Sequence, residues 1–142
     1  MTESTDPTNP SVSTDTKDWF AVVAGGIRLS SGVSFLIAPE AANRLWGDNA
    51  EPDITARLLL RSMGYRDALI GGLLLRSGLK GDGSSAGWFL ASGGADAADL
   101  LGGFANHSRM TRDQQVRGLG GAMVGIAVGL IGAARARSRG RP

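Results

Sequence analysis

The sequence predicts an all-α protein, a bundle of four transmembrane helices with a short interfacial helix after the first span. Three observations lead there. The apolar residues of the 142-residue chain gather into four runs separated by polar links. Glycine reaches 22 residues, a level that soluble helices avoid because each interior glycine costs up to about 1 kcal/mol relative to alanine, whereas membrane helices tolerate it. Finally, the charges that interrupt three of the runs fall near their centres, so residues on separate helices meet at one depth.

The length suits one domain and is too short for two. Mean hydropathy near zero is compatible with a membrane protein because polar tails dilute the four apolar segments. With no cysteine, the chain can build neither a disulfide framework nor a thiolate metal site. The pI near 9.7 reflects mostly the terminal arginines and does not call for nucleic acid. No cofactor-binding pattern is present; Gly81, Gly83 and Gly87 lack the lysine of a phosphate loop.

Residues 1–17, rich in Ser, Thr, Pro and Asp, lack the basic start and apolar core of a secretory signal and read as a disordered tail. The membrane domain is expected over 18–135, with spans at about 19–38, 56–76, 86–105 and 114–134, and a basic tail over 136–142. The first span, WFAVVAGGIRLSSGVSFLIA, is long enough for about 30 Å. Trp19 suits the lipid interface and Pro39 ends the helix. Arg28 is too far from either end to snorkel and is expected to face protein. Pro39 to Trp46 then reads as a short amphipathic helix on the membrane surface, stopped by Gly47.

Pro52 is expected in the first turn of the second span. That span, ARLLLRSMGYRDALIGGLLLR, carries Arg61, Arg66 and Asp67. On a wheel of about 100° per residue, Arg57, Arg61, Gly64, Ala68, Gly71, Gly72 and Leu75 share one side, and Leu58, Leu59, Met63, Leu69, Ile70 and Leu73 the other. The small-residue side should meet other helices, while Arg66 projects from the leucine side and requires a further helix or another protomer to cover it.

The third span, AGWFLASGGADAADLLGGFA, has Asp96 at its centre and Asp99 about a turn further on the same face. Thr111 and Gln114 have the spacing of a capping box for the fourth helix. That helix bears Gly121, Gly125 and Gly129 at four-residue intervals and no central charge, the pattern of a packing strut. Beside the helix ends, Lys17, Arg76, Lys80, Arg135, Arg137, Arg139 and Arg141 fall on one side, and Arg44, Arg109 and Arg112 on the other. The positive-inside rule then places both termini in the cytoplasm of a multi-pass plasma-membrane protein.

Arg28, Arg61, Arg66, Asp67, Asp96 and Asp99 form the candidate site, three arginines against three aspartates. A charge at the bilayer centre costs roughly 2.5 to 3.5 kcal/mol on insertion scales, so such residues pair and often mark a proton, ion or polar-ligand site. The competing explanation is an ion-pair network that fixes helix register. Two carboxylates without a nearby histidine are weak as a hard-metal site, and no metal is expected. His107, the sole histidine, reads as an ordinary loop residue.

Gly26-Ile27-Arg28 with Pro39, Leu45-Trp46-Gly47, Gly64-Tyr65-Arg66-Asp67 followed by Gly71, and Ala95-Asp96 together resemble the small bacterial four-helix integral membrane proteins of unknown function related to DoxX. The resemblance covers about Trp19 to Ala134 and implies a four-span bundle in the plasma membrane, with no established reaction. The expected function is a structural or accessory membrane subunit, with lipid and either a homo-oligomer or a larger membrane complex as partners. A transporter or channel for protons or a small polar solute is the alternative. No nucleophile and base pair points to an enzyme.

Overall fold

The structure, a computed structural model, describes residues 17–45, 51–81 and 83–139. The expectations for the N-terminal tail before Lys17, for Trp46 and Gly47, and for the last three residues lie outside it. Five helices make up the described chain, and it contains no strand. Helix α1 runs Trp19–Ile37, α2 Pro39–Leu45, α3 Ile54–Lys80 and α4 Ser85–Ala105. After a 3₁₀ turn at His107–Arg109, α5 spans Arg112–Arg139.

Local chemistry sets these ends. Asp18 caps α1 by accepting from the Ala21 N–H at 3.3 Å. Pro39 has no N–H to continue α1 and instead opens α2, where that donor would be unpaired in any case. Asp53 caps α3 by accepting from Ala56 N–H at 2.7 Å. Pro52 therefore lies just before that helix and not in its first turn, a correction that follows from the aspartate outcompeting it for the cap. Gly81, at φ 68, closes α3 in the left-handed conformation that glycine adopts without steric cost. The capping box of α5 is formed: Gln114 N–H donates to Thr111 Oγ1 at 3.3 Å, and Thr111 N–H donates to Gln114 Oε1 at 2.8 Å.

Two features of α5 depart from the sequence reading. Its second and third turns, Gln115–Leu119, are wound as a π-helix. Its C-terminal part continues through Arg139, so Arg137 and Arg139 ride on the helix and not on a tail.

The start of α1, the end of α3, the start of α4 and the end of α5 meet around buried Asp18. Asp18 N–H donates to the Gly78 carbonyl at 2.9 Å, Ser85 Oγ donates to Asp18 Oδ2 at 3.2 Å, and Arg139 pairs with Asp18 Oδ1 at 3.3 Å. The four long helices therefore alternate in direction.

They associate as two close pairs. In the first, α1 and α3 touch backbone to backbone through glycines spaced by seven, Gly25 and Gly32 on α1 against Gly64, Gly71 and Gly78 on α3. A methyl carbon placed on Gly32 would lie 2.6 Å from the Gly64 carbonyl oxygen, and one on Gly78 would lie 2.8 Å from the Asp18 carbonyl oxygen. A seven-residue period keeps one seam in register along two helices. The second pair, α4 and α5, meets where Gly129 abuts Gly93 and Gly132 abuts the Phe89 ring. Phe89 joins the pairs toward the end where α1 begins and α5 stops, packing with Ala21, Leu74 and Ala133 and stacking on Phe20 with ring centroids 5.4 Å apart.

Side chains are distributed inside out. The buried apolar residues are mostly alanines, whereas Ile27 is 68 % exposed and Leu58 69 %, with Leu101, Val124 and Leu130 similarly bare. Of the four long helices, two, Trp19–Ile37 and Arg112–Arg139, are long and apolar enough to cross a membrane. The expectation of four spans is thus carried by composition only for α1 and α5; α3 and α4 fall short because of the charges in their middles.

Candidate functional site

Where α1, α3 and α4 converge at mid-height, five charged side chains form one network. Arg28 on α1 donates through Nη1 to Ser92 Oγ at 2.7 Å and to Asp96 Oδ2 at 2.8 Å, both on α4. Its Nη2 donates to Asp67 Oδ1 on α3 at 3.0 Å. Planar guanidinium geometry makes this possible, since one fork can span two helices where an ammonium would serve a single point. Arg66 donates from Nε to the same Asp67 oxygen at 3.1 Å and grips Asp99 bidentately, at 2.9 and 2.6 Å. Arg66, which the wheel placed on the leucine side of α3, is thus covered by α4.

The helices position these groups by register. Gly64 and Gly71 bring α3 against α1 close enough for Asp67, halfway between them, to reach Arg28. Gly125 leaves room for Asp96: a methyl there would collide with the carboxylate itself. Gly129 works differently, admitting the α4 backbone, and Gly121 lines a cleft. The ladder on α5 therefore combines a packing contact with a seat for a charged side chain.

Arg61 does not join the network. It is exposed on α3 and has no partner among the described residues. A helical wheel assigns a side, but not how far a neighbouring helix covers it. Without Arg61 the charges do not balance. Two guanidiniums face three carboxylates, a formal net charge of −1, where the six-residue set of the sequence reading summed to zero. The side chains of Arg28, Asp67 and Asp96 are 13 %, 15 % and 13 % exposed, those of Arg66 and Asp99 more open.

The carboxylates are reached from a cleft of about 460 Å³ between the two helix pairs. Asp67, Asp96 and Asp99 lie at its inner part, and Phe35, Leu60, Met63, Met110 and Leu119 supply apolar wall. Asn43 of α2, Met110 and Gly118 of the π segment place its other end away from the termini. Among the described residues, no group of three or more His, Cys, Asp or Glu side chains is arranged to hold a metal ion. His107 lies on the surface at a turn, its Nδ1 3.1 Å from the Phe104 carbonyl oxygen.

Three functional positions escaped the sequence reading. Asp18 is the hub of the end where α1 begins and α5 stops, and its place directly before an apolar run is an N-cap signal. Ser92, one turn before Asp96, carried no signal beyond its position inside an apolar segment. The seven-residue glycine spacing in α1 and α3 was legible, but only by comparing the two helices.

Comparison with known proteins sets the network in context. No curated protein and no solved structure matches the chain. None of the matches found supports the relationship with DoxX that the short motifs implied. A family model matches residues 25–132, a stretch that contains all of Arg28, Arg66, Asp67, Asp96 and Asp99, and the chain belongs to that family, described as a domain of unknown function, DUF4267.

Proposed function

We propose that the chain is a multi-pass membrane protein in which all four long helices cross the bilayer, and that it acts as a structural or accessory membrane subunit. The observation that carries this reading is the inverted distribution of side chains. Bare isoleucines, leucines and valines surround the bundle, while the mid-helix charges Arg66, Asp67, Asp96 and Asp99 of α3 and α4 turn inward and pair with one another and with Arg28 of α1. Water disfavours the first arrangement, since soluble monomers rarely expose contiguous apolar patches beyond a few hundred Å². Hydrocarbon favours both. Helix length also fits: α3, with 27 residues, extends about 40 Å, and α4, with 21, about 32 Å. The network pairs both carboxylates of α4, Asp96 and Asp99, and the two central charges of α3, Arg66 and Asp67.

Both termini are assigned to the cytoplasm, on a narrower margin than the loops alone suggest. Lys17, Arg76, Lys80, Arg135, Arg137 and Arg139 lie toward the end with the termini. Arg57 and Arg117 join Arg44, Arg109 and Arg112 toward the other, but Arg57 is paired with Glu40 and Glu51 there. An accessory role predicts that Asp96→Asn lowers the yield of folded protein in membranes while leaving ion flux through proteoliposomes at the level of empty vesicles, as in the wild type.

The cleft favours a second reading, a transporter or channel for protons or a small polar solute, with Asp67, Asp96 and Asp99 as the working groups. It predicts flux above the empty-vesicle baseline that varies with pH and disappears in folded Asp96→Asn. Zero flux in the wild type rejects it.

A further inference from the structure

The network leaves two acceptors unused. Asp67 receives both of its hydrogen bonds on Oδ1, and Asp96 receives its bond on Oδ2. Asp67 Oδ2 and Asp96 Oδ1 therefore accept nothing among the described residues. Neither is shut away, because Arg28 Nε is the one fully buried side-chain N or O atom that lacks a partner there. These two oxygens belong to different helix pairs and to residues that line the same cleft. Asp99, by contrast, spends both oxygens on Arg66.

Charge, shape and donor count then restrict what the cleft can take. Three carboxylates against two guanidiniums call for one more positive charge, which excludes an anion. A divalent metal is disfavoured, since no group of three ligating side chains is suitably arranged among the described residues. A bare inorganic cation would leave the apolar wall of Phe35, Leu60, Met63 and Leu119 unused in a space of about 460 Å³. A quaternary ammonium has the charge but no N–H to give the free oxygens. A primary ammonium has three donors, and an alkyl chain behind it would lie along that wall.

We infer that the cleft between the two helix pairs binds a protonated primary alkylamine, its ammonium on the free oxygens of Asp67 and Asp96 and its chain against Phe35, Met63 and Leu119. The site shares its cleft with the transport reading but requires binding only. A protein that binds amine and moves nothing would refute transport and leave this site standing.

The test is calorimetric titration of the full chain in lipid nanodiscs, with empty nanodiscs as the blank. The probes are n-hexylammonium, n-hexyltrimethylammonium, n-hexanol and hexanoate. Saturable binding of one n-hexylammonium is expected, weakened about tenfold or more for the trimethyl compound, with no signal above the blank for the alcohol or the carboxylate. Asp67→Asn should weaken n-hexylammonium binding by a similar factor. Gly102→Leu provides a second variant: Gly102 lines the cleft, and a methyl placed on it meets nothing within 4 Å, which leaves room there to begin a larger side chain. It too should weaken binding, with helix content and melting unchanged. Absence of saturable binding by the wild type, equal binding of n-hexanol, or undiminished binding by folded Asp67→Asn or Gly102→Leu would each overturn the proposal.

Discussion

Replacing Arg28 by methionine tests the network at the residue that ties three helices together. The side chain is 13 % exposed and makes three hydrogen bonds, two of them to carboxylates. Methionine keeps an unbranched chain but takes the network from two arginines and three aspartates to one and three, a net charge of −2, and leaves Asp96 without a cation. Removing one member of a buried pair costs about 3–5 kcal/mol. The cleft reaches Asp96 and gives it some relief, so a loss of about 3 kcal/mol is expected. Arg28→Lys keeps the charge but loses the fork, and should cost about 1–2 kcal/mol. Arg28→Met combined with Asp96→Asn removes the orphaned charge, so the double variant should be more stable than the sum of its parts by about 1–3 kcal/mol. Reversible unfolding in detergent, followed by helical circular dichroism, measures the wild type, the three single variants Arg28→Met, Arg28→Lys and Asp96→Asn, and the double variant. A loss below about 0.5 kcal/mol for Arg28→Met, or strict additivity in the cycle, would refute the idea that these charges sustain one another.

Other substitutions probe the packing and the caps. Gly32→Leu drives a side chain into the Gly64 carbonyl and the Ala68 backbone and should abolish folded, monodisperse protein on size-exclusion chromatography. Gly26→Ala meets nothing within 4 Å and should leave stability unchanged or raise it by up to about 1 kcal/mol. Thr111→Ala removes the reciprocal cap of α5, for a loss of about 1 kcal/mol by denaturant titration. Asp18→Ala removes a cap together with its bonds to Ser85 and Arg139; it should cost more than Thr111→Ala in the same assay, and equal losses would argue against the hub.

The helical fold was legible in the sequence because Pro39 and the Thr111/Gln114 box are local signals that act within one turn; the end of α3 was not, since the reading stopped it at Arg76 where the helix runs on to Lys80. The charged set was legible for a related reason: Arg28, Arg66, Asp67 and Asp96 interrupt apolar runs at one depth, and depth is read by counting residues. What counting cannot supply is azimuth. Arg61 shares a wheel side with Gly64, yet α1 covers the glycine and leaves the arginine bare, which changed the charge of the site by one. The pairing of α1 with α3 is not visible in four-residue spacing within a single helix, because the decisive glycines recur every seventh residue on two helices. The π segment of α5 has no signature in Gln115–Leu119, since its wider turn depends on what packs beside it. Composition also counts Arg66, Asp67, Asp96 and Asp99 against α3 and α4, although the tertiary structure pairs these four.

The most direct test of the central claim is solvent access along α3 and α4. The chain has no cysteine, so single replacements report cleanly. Ile27→Cys, Leu69→Cys and Ala91→Cys place thiols at exposed mid-helix positions on α1, α3 and α4, and Lys80→Cys places one at the end of α3. Treatment of intact membranes and inverted vesicles with a membrane-impermeant maleimide should label Lys80→Cys from the cytoplasmic side alone and leave the three mid-helix thiols unmodified until the protein is denatured. Rapid labelling of Leu69→Cys and Ala91→Cys in intact membranes, with Ile27→Cys protected, would show that α3 and α4 stand in water and would contradict a four-span bundle with its charges held inside.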